Sequence, residues 1–249
     1  MANEAAGDTR WIEVAPDRLA GWLESFAQRH GDVTGDGDRA VVTFRAADGS
    51  VAECHVPFPP LPGPGPAGGA DGGSDGGADD APAGEVADWI SRIVAHAHAE
   101  RTVGVFLVRL GGYAAGVFTG PSAAHLAASK VGSRLVHGRS AAGGQSQQRF
   151  ARRREKQAGE ALGAAADVAA AVFGPYQDRL DAVVLGGDRR TIAGLRDDPR
   201  LRPYVKLAVE RFLTVPDPRL AVLRTAPRLF QAIRIRLTER PTTAGREER

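Results

Sequence analysis

The residues with the clearest chemical potential are two glycines and two glutamines near the middle of the chain. Gly143 and Gly144 stand directly before Gln145, and Gln147 follows two residues later. Adjacent glycines can adopt positive φ angles and approach another molecule closely, because neither has a Cβ atom. A carboxamide does not titrate near neutral pH, but it can orient a water molecule and donate a hydrogen bond to a developing oxyanion. The segment has the composition of a flexible tip that carries a neutral polar group.

A strongly basic segment surrounds this tip. Between Ser129 and Gln157 the chain has eight Lys or Arg residues and a single acid, Glu155. The net charge of the whole chain is only +2, so the positive charge is concentrated here. A charge run on a helix is usually a solvated face, but its position directly after the glycine pair favours contact with a polyanion. The cations of interest are Arg139, Arg149, Arg152, Arg153, Arg154 and Lys156.

Composition excludes several classes of protein. The single cysteine, Cys54, rules out an internal disulfide framework and fits a reducing compartment. The pair His96 and His98 is spaced so that the two rings fall on different faces of a predicted helix, which makes a zinc site unlikely from the pattern. No apolar run has the length of a membrane span, and the N-terminus lacks the layout of a signal peptide. We expect a cytoplasmic protein with no metal, no cofactor and no membrane partner.

The chain divides by composition into four parts. Residues 1–58 are predicted to be a small α+β unit, and residues 59–84 a disordered linker, because 15 of those 26 residues are Gly or Pro. Residues 85–240 are predicted to form the main domain, and residues 241–249 a flexible tail. In the main domain the pattern predicts a helix over 85–99, strands over 102–110, 113–119 and 130–137, a mobile loop over 138–146 and a long helix over 150–173. Further strands are predicted over 181–185, 207–215 and 232–237, with helices around 189–195 and 217–231.

The region from 137 to 152 resembles a known protein family. The runs are His137-Gly138-Arg139, Gly143-Gly144-Gln145-Ser146 and Arg149-Phe150-Ala151-Arg152. They resemble the middle domain of the eukaryotic and archaeal peptide-chain release factor, from which the spacer Ser140-Ala141-Ala142 departs by making the loop slightly longer. The chain is more similar to the actinobacterial-type branch of the Vms-like release factors, which are peptidyl-tRNA hydrolases. That similarity extends over most of residues 85–240.

The resemblance implies an α/β fold with an RNase-H-like mixed sheet flanked by helices. It implies hydrolysis of the ester between a nascent peptide and tRNA, at the peptidyl-transferase centre of the large ribosomal subunit. The six cations would then bind phosphates of rRNA or peptidyl-tRNA, and DNA is not an expected partner. Gly143, Gly144 and Gln145 would form the catalytic tip. A Gly-x-x-Gln arrangement, which the Vms-like group tolerates, would select Gln147 instead, and this alternative stays open.

Two further hypotheses accompany this one. The small N-terminal unit shows no element that reads stop codons, which favours codon-independent rescue of stalled chains over ordinary termination. A non-catalytic module that binds the ribosome or tRNA through the same fold is the alternative function.

A nuclease is less favoured, because no cluster of Asp and Glu at the sheet ends offers metal ligands. Nucleotide binding is also disfavoured, because no phosphate-binding motif accompanies the glycines.

Overall fold

A computed structural model describes residues 8–63, 85–109, 111–133 and 146–240, with the backbone alone for residues 146–156 and 158. The chain divides into two compact units. The first contains the residues up to His98 together with those from Gln231 onward, and the second spans Ala99–Phe230. Most of the predicted linker (64–84) and the predicted tail (241–249) lie outside the described residues.

Ten strands and six α-helices make up the described residues. In chain order they are β1 (Asp8–Val14), α1 (Leu19–His30), β2 (Val33–Gly37), β3 (Val41–Ala46), β4 (Val51–His55), α2 (Val86–His98), β5 (Val103–Arg109), β6 (Gly112–Thr119), β7 (His125–Ser133), α3 (Ser146–Phe173), β8 (Ala182–Gly187), α4 (Arg189–Leu195), α5 (Arg202–Val205), β9 (Ala208–Leu213), α6 (Leu220–Gln231) and β10 (Ile233–Glu239).

The first unit is a five-stranded antiparallel sheet with two helices. Its strand order is β1-β10-β4-β3-β2. The strands alternate between buried and exposed residues, as in β10, because one face of the sheet packs on a core and the other does not. That core joins Phe26 of α1, Phe44 of β3, Trp89 of α2 and Ile233 of β10, all fully buried.

The second unit contains a five-stranded mixed sheet with the order β7-β6-β5-β8-β9. The strands β5, β6 and β7 are antiparallel neighbours, whereas β8 runs parallel to both β5 and β9. The central strands β5 and β6 are buried along almost their whole length, because both faces of the sheet are covered. Helix α3 packs on one face, through Ala165, Ala169 and Phe173 among others. On the other face, Phe230 of α6 meets Phe118 of β6 edge to face at 6.3 Å.

The predicted fold class is confirmed: the protein is a mixed α/β structure with two sheets flanked by helices. Individual elements differ from the prediction. Strand β2 and the short helix α5 were not predicted at all. Strand β7 begins at His125 rather than at Lys130, and the predicted remainder of that strand after Ser133 lies outside the described residues. Helix α3 begins at Ser146, four residues earlier than predicted.

The structure also places two elements in a different unit from the one predicted. Helix α2 and strand β10 were expected in the main domain, yet both belong to the first unit. Strand β10 pairs with β1 over seven residues and with β4 on its other side, so it completes the N-terminal sheet. Trp89 of α2 is buried in the core of the same unit. A local pattern identifies a helix or a strand, but it does not identify which sheet that element joins.

Candidate functional site

The glycine–glutamine segment joins an edge strand to a long helix. Strand β7 ends at Ser133, and α3 begins at Ser146. The twelve residues between them, 134–145, contain the predicted catalytic Gly143, Gly144 and Gln145 and the predicted RNA-binding Arg139, and they lie outside the described residues. Ser146 directly follows Gln145, so the predicted tip adjoins the N-terminus of α3.

The C-terminal part of α3 is fixed in the core of the second unit. Ala161, Ala165, Ala169 and Val172 are buried and recur at helical spacing, so they form one packed line against the sheet. The 28 residues of α3 extend over about 42 Å at 1.5 Å per residue. Ser146 therefore lies roughly 22 Å along the helix axis from the first buried alanine, Ala161. The core holds one half of the helix, and the predicted tip adjoins the other end.

The remaining predicted site residues are all on the N-terminal half of α3, where the structure describes the backbone. Gln147 is the second residue of the helix. By the α-helical period of about 100° per residue, positions 149, 152 and 156 lie on the side opposite the buried line. Position 153 lies at the border, and positions 147 and 154 fall on the same line as the buried alanines. Three of the six predicted RNA-binding cations thus occupy helix positions on the side opposite the packed line.

Comparison with protein families assigns most of the second unit. The family model described as the Actinobacteria/chloroflexi VLRF1 release factor matches residues 101–236, which is more than half of the chain. The chain belongs to this family. Membership gives it a release-factor-like role in translation. The second unit is called the release-factor unit below.

Other comparisons add little to the family assignment. A solved structure described as an archaeal protein is similar to 90% of this chain, with 13% sequence identity and a TM-score of 0.33. The chain covers 66% of the length of that protein. No curated protein matches the sequence significantly.

A charged cluster fastens α3 to the loop after α4 in the release-factor unit. The Arg200 guanidinium donates to Asp167 of α3 at 2.5 Å, to the carbonyl oxygen of Gly163 at 3.4 Å and to both carboxylate oxygens of Asp198. Its hydrogen bonds lower the pKa of the Asp198 carboxyl, and the two carboxylates raise the pKa of Arg200. Both Arg200 and Asp167 are largely exposed, so solvent screening keeps the stabilisation small.

The carboxyl end of β8 is a structural turn. Gly187 adopts a φ of +101°, and a Cβ atom there would lie 2.1 Å from the carbonyl oxygen of Val108. The next residue, Asp188, caps α4: its carboxylate accepts from the backbone N–H and the hydroxyl of Thr191, both at 2.7 Å. These bonds lower the pKa of Asp188. The glycine is required by the backbone, and the carboxylate is engaged in capping.

Two glycines, Gly159 and Gly163, are within α3. A Cβ atom at either position would have no neighbour within 4 Å among the described atoms, apart from the backbone of the helix itself. These glycines weaken the helix between its basic half and its packed half.

The histidines and the cysteine that were considered as ligands have structural environments. His98 Nε2 lies 2.7 Å from Oδ1 of Asp17, and His96 Nε2 donates to the carbonyl oxygen of Phe58 at 2.9 Å. Cys54 is buried, which raises the pKa of its thiol, and His55 faces the other side of the sheet, beside Trp11. Within the described ranges, no three His, Cys, Asp or Glu residues are grouped as a metal site would need. No described helix combines the length and hydrophobicity of a membrane span.

Sequence reasoning missed a cleft at the foot of the glycine–glutamine segment. The cleft is formed where β7 ends, beside the β5–β6 hairpin and the start of α6, and has a volume of about 350 Å³. Its lining residues are Arg109, Gly112, Val131, Gly132, Ser133, Asp217, Pro218 and Arg219. They come from three separate stretches of the chain, so no local motif could have indicated them.

Proposed function

We propose that this chain hydrolyses the ester that links a nascent peptide to tRNA on stalled ribosomal complexes. Family membership supports the release-factor role. The observation that carries the catalytic part is the position of Ser146, the first residue of α3, immediately after the Gly143–Gln145 tripeptide. A helix held by its far half is a suitable mount for a tip that must reach into a narrow RNA cavity.

Gln145 is proposed to position the reacting water. Its carboxamide oxygen would accept a hydrogen bond from the water, and its N–H₂ would donate to the oxyanion that develops on the ester carbonyl. The water oxygen bonds to the carbonyl carbon, and the ester C–O bond breaks. One proton of the water passes to the departing ribose oxygen, and the other is released to solvent when the carboxylic acid ionises. The products are a peptide carboxylate and tRNA with a free hydroxyl. Loss of one such donor typically lowers the rate by about 10²–10³.

Gln147 is the alternative catalytic amide. It occupies the second position of α3, so its backbone has helical geometry. Gln145 directly follows Gly143 and Gly144, and adjacent glycines allow a close approach to another molecule. For this reason we assign Gln145 as the working amide and Gln147 as a residue that supports the start of the helix.

The charges of α3 favour a polyanionic partner. The first turn of α3 has no acidic residue, although acids there would stabilise the positive end of the helix dipole. Arg149 is followed instead by Arg152, Arg153, Arg154 and Lys156. Arg149 is the fourth residue of α3 and the only one of these cations within its first turn, where a positive charge is unfavourable by a few tenths of a kcal/mol to about 1 kcal/mol. Phosphates of rRNA or tRNA would relieve this repulsion, and binding should weaken steeply as salt increases.

The proposed reaction is independent of the codon. The test is release of labelled peptide from purified ribosomal complexes that hold peptidyl-tRNA, with either a sense or a stop codon in the empty site. We expect equal rates at both codons and a tRNA with an intact 3′ end. Release only at stop codons would contradict the rescue role. Binding without release would leave a non-catalytic module, and cleavage within the tRNA would indicate a nuclease.

A further inference from the structure

The cleft at the foot of the glycine–glutamine segment has the size of a ligand site. Its volume of about 350 Å³ falls within the range of roughly 300–1,000 Å³ that is typical of small-molecule pockets. It lies wholly within the release-factor unit. Ser133, the last residue of β7, lines it, and the chain continues from there toward Gly143 and Gln145. A ligand in this cleft would lie beside Ser133, the residue after which the segment with Gly143 and Gln145 begins.

The charged groups of the cleft suit a phosphate. Arg109 and Arg219 both line it, and Asp217 is its one acidic lining residue, which leaves one excess positive charge. Arg109 donates from Nη1 to the carbonyl oxygen of Val215 at 2.9 Å, which uses one of the five N–H donors of its guanidinium. Arg219 is exposed, and its guanidinium has no hydrogen-bond or ion-pair partner among the described residues. Arginine forks match the geometry of phosphate oxygens.

An apolar surface lies beside these cations. Val131 lines the cleft and is 38% exposed, and Leu220, which follows Arg219, is 37% exposed. Together with Trp11 of the first unit, they are the exposed large hydrophobic residues of the described chain. Pro218 adds a second apolar group to the lining. Apolar surface next to free arginine fits a ligand that combines a phosphate with a sugar or a base.

A glycine keeps the cleft open. A Cβ atom at Gly112 would lie 3.5 Å from Cδ of Pro218 and 3.3 Å from the carbonyl oxygen of Arg109, both residues of the cleft wall. Any longer side chain at this position would extend among the lining residues. Gly112 therefore offers a way to fill the cleft without removing a charge.

We infer that this cleft binds one nucleotide of single-stranded RNA. Arg109 and Arg219 contact its phosphate, and Val131 and Pro218 pack against its sugar or base. The carboxylate of Asp217 and the hydroxyl of Ser133 can hydrogen-bond to ribose hydroxyls, which distinguish RNA from DNA. This inference rests on the proposed function in one respect, that RNA surrounds the tip during the reaction. It extends the proposed RNA-binding surface from α3 to the end of β7 and the start of α6.

The test measures binding of a fluorescein-labelled 12-nucleotide single-stranded RNA to the full chain by fluorescence anisotropy over a salt series. Each phosphate contact to a single strand contributes a slope of about −0.7 in log K against log salt, or about a fivefold change in affinity at 0.1 M salt. Arg219→Gln should therefore weaken binding by up to about fivefold and make the slope less negative by up to about 0.7. Arg224→Gln is the matched control. Arg224 is exposed, as Arg219 is, and belongs to α6, which begins directly after Arg219, but it does not line the cleft. It should leave both quantities unchanged.

A second measurement locates the RNA directly. Crosslinking with 4-thiouridine should label peptides that contain residues 131–133 or 217–219 in the native chain. Gly112→Val should reduce this labelling while the circular dichroism spectrum stays that of the native protein. Equal loss of affinity in Arg219→Gln and Arg224→Gln would overturn the inference, as would crosslinks confined to other regions. Equally effective competition by a polyglutamate peptide of the same charge would also overturn it, and would indicate an acidic protein segment.

The outcomes also separate this inference from the proposed function. Gln145→Ala should abolish peptide release and keep the crosslinks to the cleft. If the native chain releases no peptide but Arg219→Gln still loses RNA affinity, the cleft site stands and the hydrolase proposal fails. If release is normal and Arg219→Gln changes neither RNA affinity nor its salt slope, the cleft site fails and the hydrolase proposal stands.

Discussion

Replacing the two glycines of α3 with alanine should stabilise the release-factor unit. Gly159 and Gly163 are in the interior of a helix of 28 residues, and a Cβ atom at either has open space around it. Glycine in a helix interior is less favourable than alanine, because the unfolded backbone has more freedom to lose. Neither glycine is among the residues with positive φ, so alanine fits the existing backbone.

The expected stabilisation follows from helix propensity. Each Gly→Ala change in α3 should contribute about 1 kcal/mol. For a chain of this size, 1 kcal/mol corresponds to about 2–4 °C in the midpoint of thermal unfolding. The double variant should therefore unfold about 4–8 °C higher, provided that the two sites, one helical turn apart, contribute additively.

The same substitution at Gly187 is the matched control, and its expected effect has the opposite sign. Gly187 has a φ of +101°, and a new Cβ atom would lie 2.1 Å from the Val108 carbonyl oxygen. The strained backbone alone should lower stability by about 1–3 kcal/mol, and the steric overlap adds to that. The same Gly→Ala change is made at all three positions, so a difference in the sign of its effect must come from the local structure at each position.

The assay must report on the release-factor unit. All three tryptophans of the chain, Trp11, Trp22 and Trp89, are in the first unit, so their fluorescence is a poor probe of α3. Circular dichroism at 222 nm gives the unfolding midpoint, and hydrogen exchange of amides 157–173 localises the effect to α3. A lower midpoint or faster exchange in Gly159→Ala and Gly163→Ala would show that these glycines have a packing role after all.

Three further predictions concern single side chains. Asp188→Ala should lower stability by about 0.5–2 kcal/mol through loss of the helix cap. Because the folded pKa of Asp188 is depressed, its contribution to stability is present above its unfolded pKa and is lost as the pH falls through the folded pKa. Asp188→Asn keeps the cap but does not titrate, so its stability should depend less on pH in urea unfolding at pH 2–6. Cys54 should react with a maleimide only after unfolding, because it is buried and its pKa is raised, and fast labelling of the native chain would count against this placement. Arg200→Ala should change stability by less than about 1 kcal/mol, and a loss of several kcal/mol in thermal unfolding would mean that its link to Asp167 is shielded from water.

The sequence predicted elements whose pattern is local. Strands β5 and β6 follow from apolar runs around Gly111, which has a φ of +83° at the hairpin. Helix α3 follows from its apolar period, and the cap at Asp188 from the residue type before a helix. In these places the burial of each element follows the apolar pattern of its own sequence.

The elements that the sequence missed depend on distant residues. Strand β2 contains Gly35 and Gly37, which usually indicate a turn. In the structure Gly35 faces the core, where a Cβ atom would lie 2.9 Å from Trp89 and 3.2 Å from Phe44. Glycine at position 35 leaves room for Trp89, which belongs to a helix more than fifty residues later in the chain. No local pattern reveals this contact. The position of β10 between β1 and β4 is hidden for the same reason.

The candidate site also has a part that the sequence predicts and a part that it does not. The Gly-Gly-Gln tip and its basic helix could be identified from the sequence, because their functional residues belong to one short continuous segment. The cleft of Arg109, Ser133 and Arg219 could not, because it exists only when the ends of β5 and β7 meet the start of α6. Its one sequence signal is the Pro-Asp-Pro-Arg run that precedes α6, and such a run is also typical of an ordinary turn.

The most direct test of the central claim is single-turnover release of peptide from ribosome-bound peptidyl-tRNA by the native chain, Gln145→Ala and Gln147→Ala. We predict a rate lower by about 10²–10³ for Gln145→Ala, with ribosome binding unchanged, and a much smaller effect for Gln147→Ala. Release by Gln145→Ala at the native rate would contradict the account, whichever result Gln147→Ala gives.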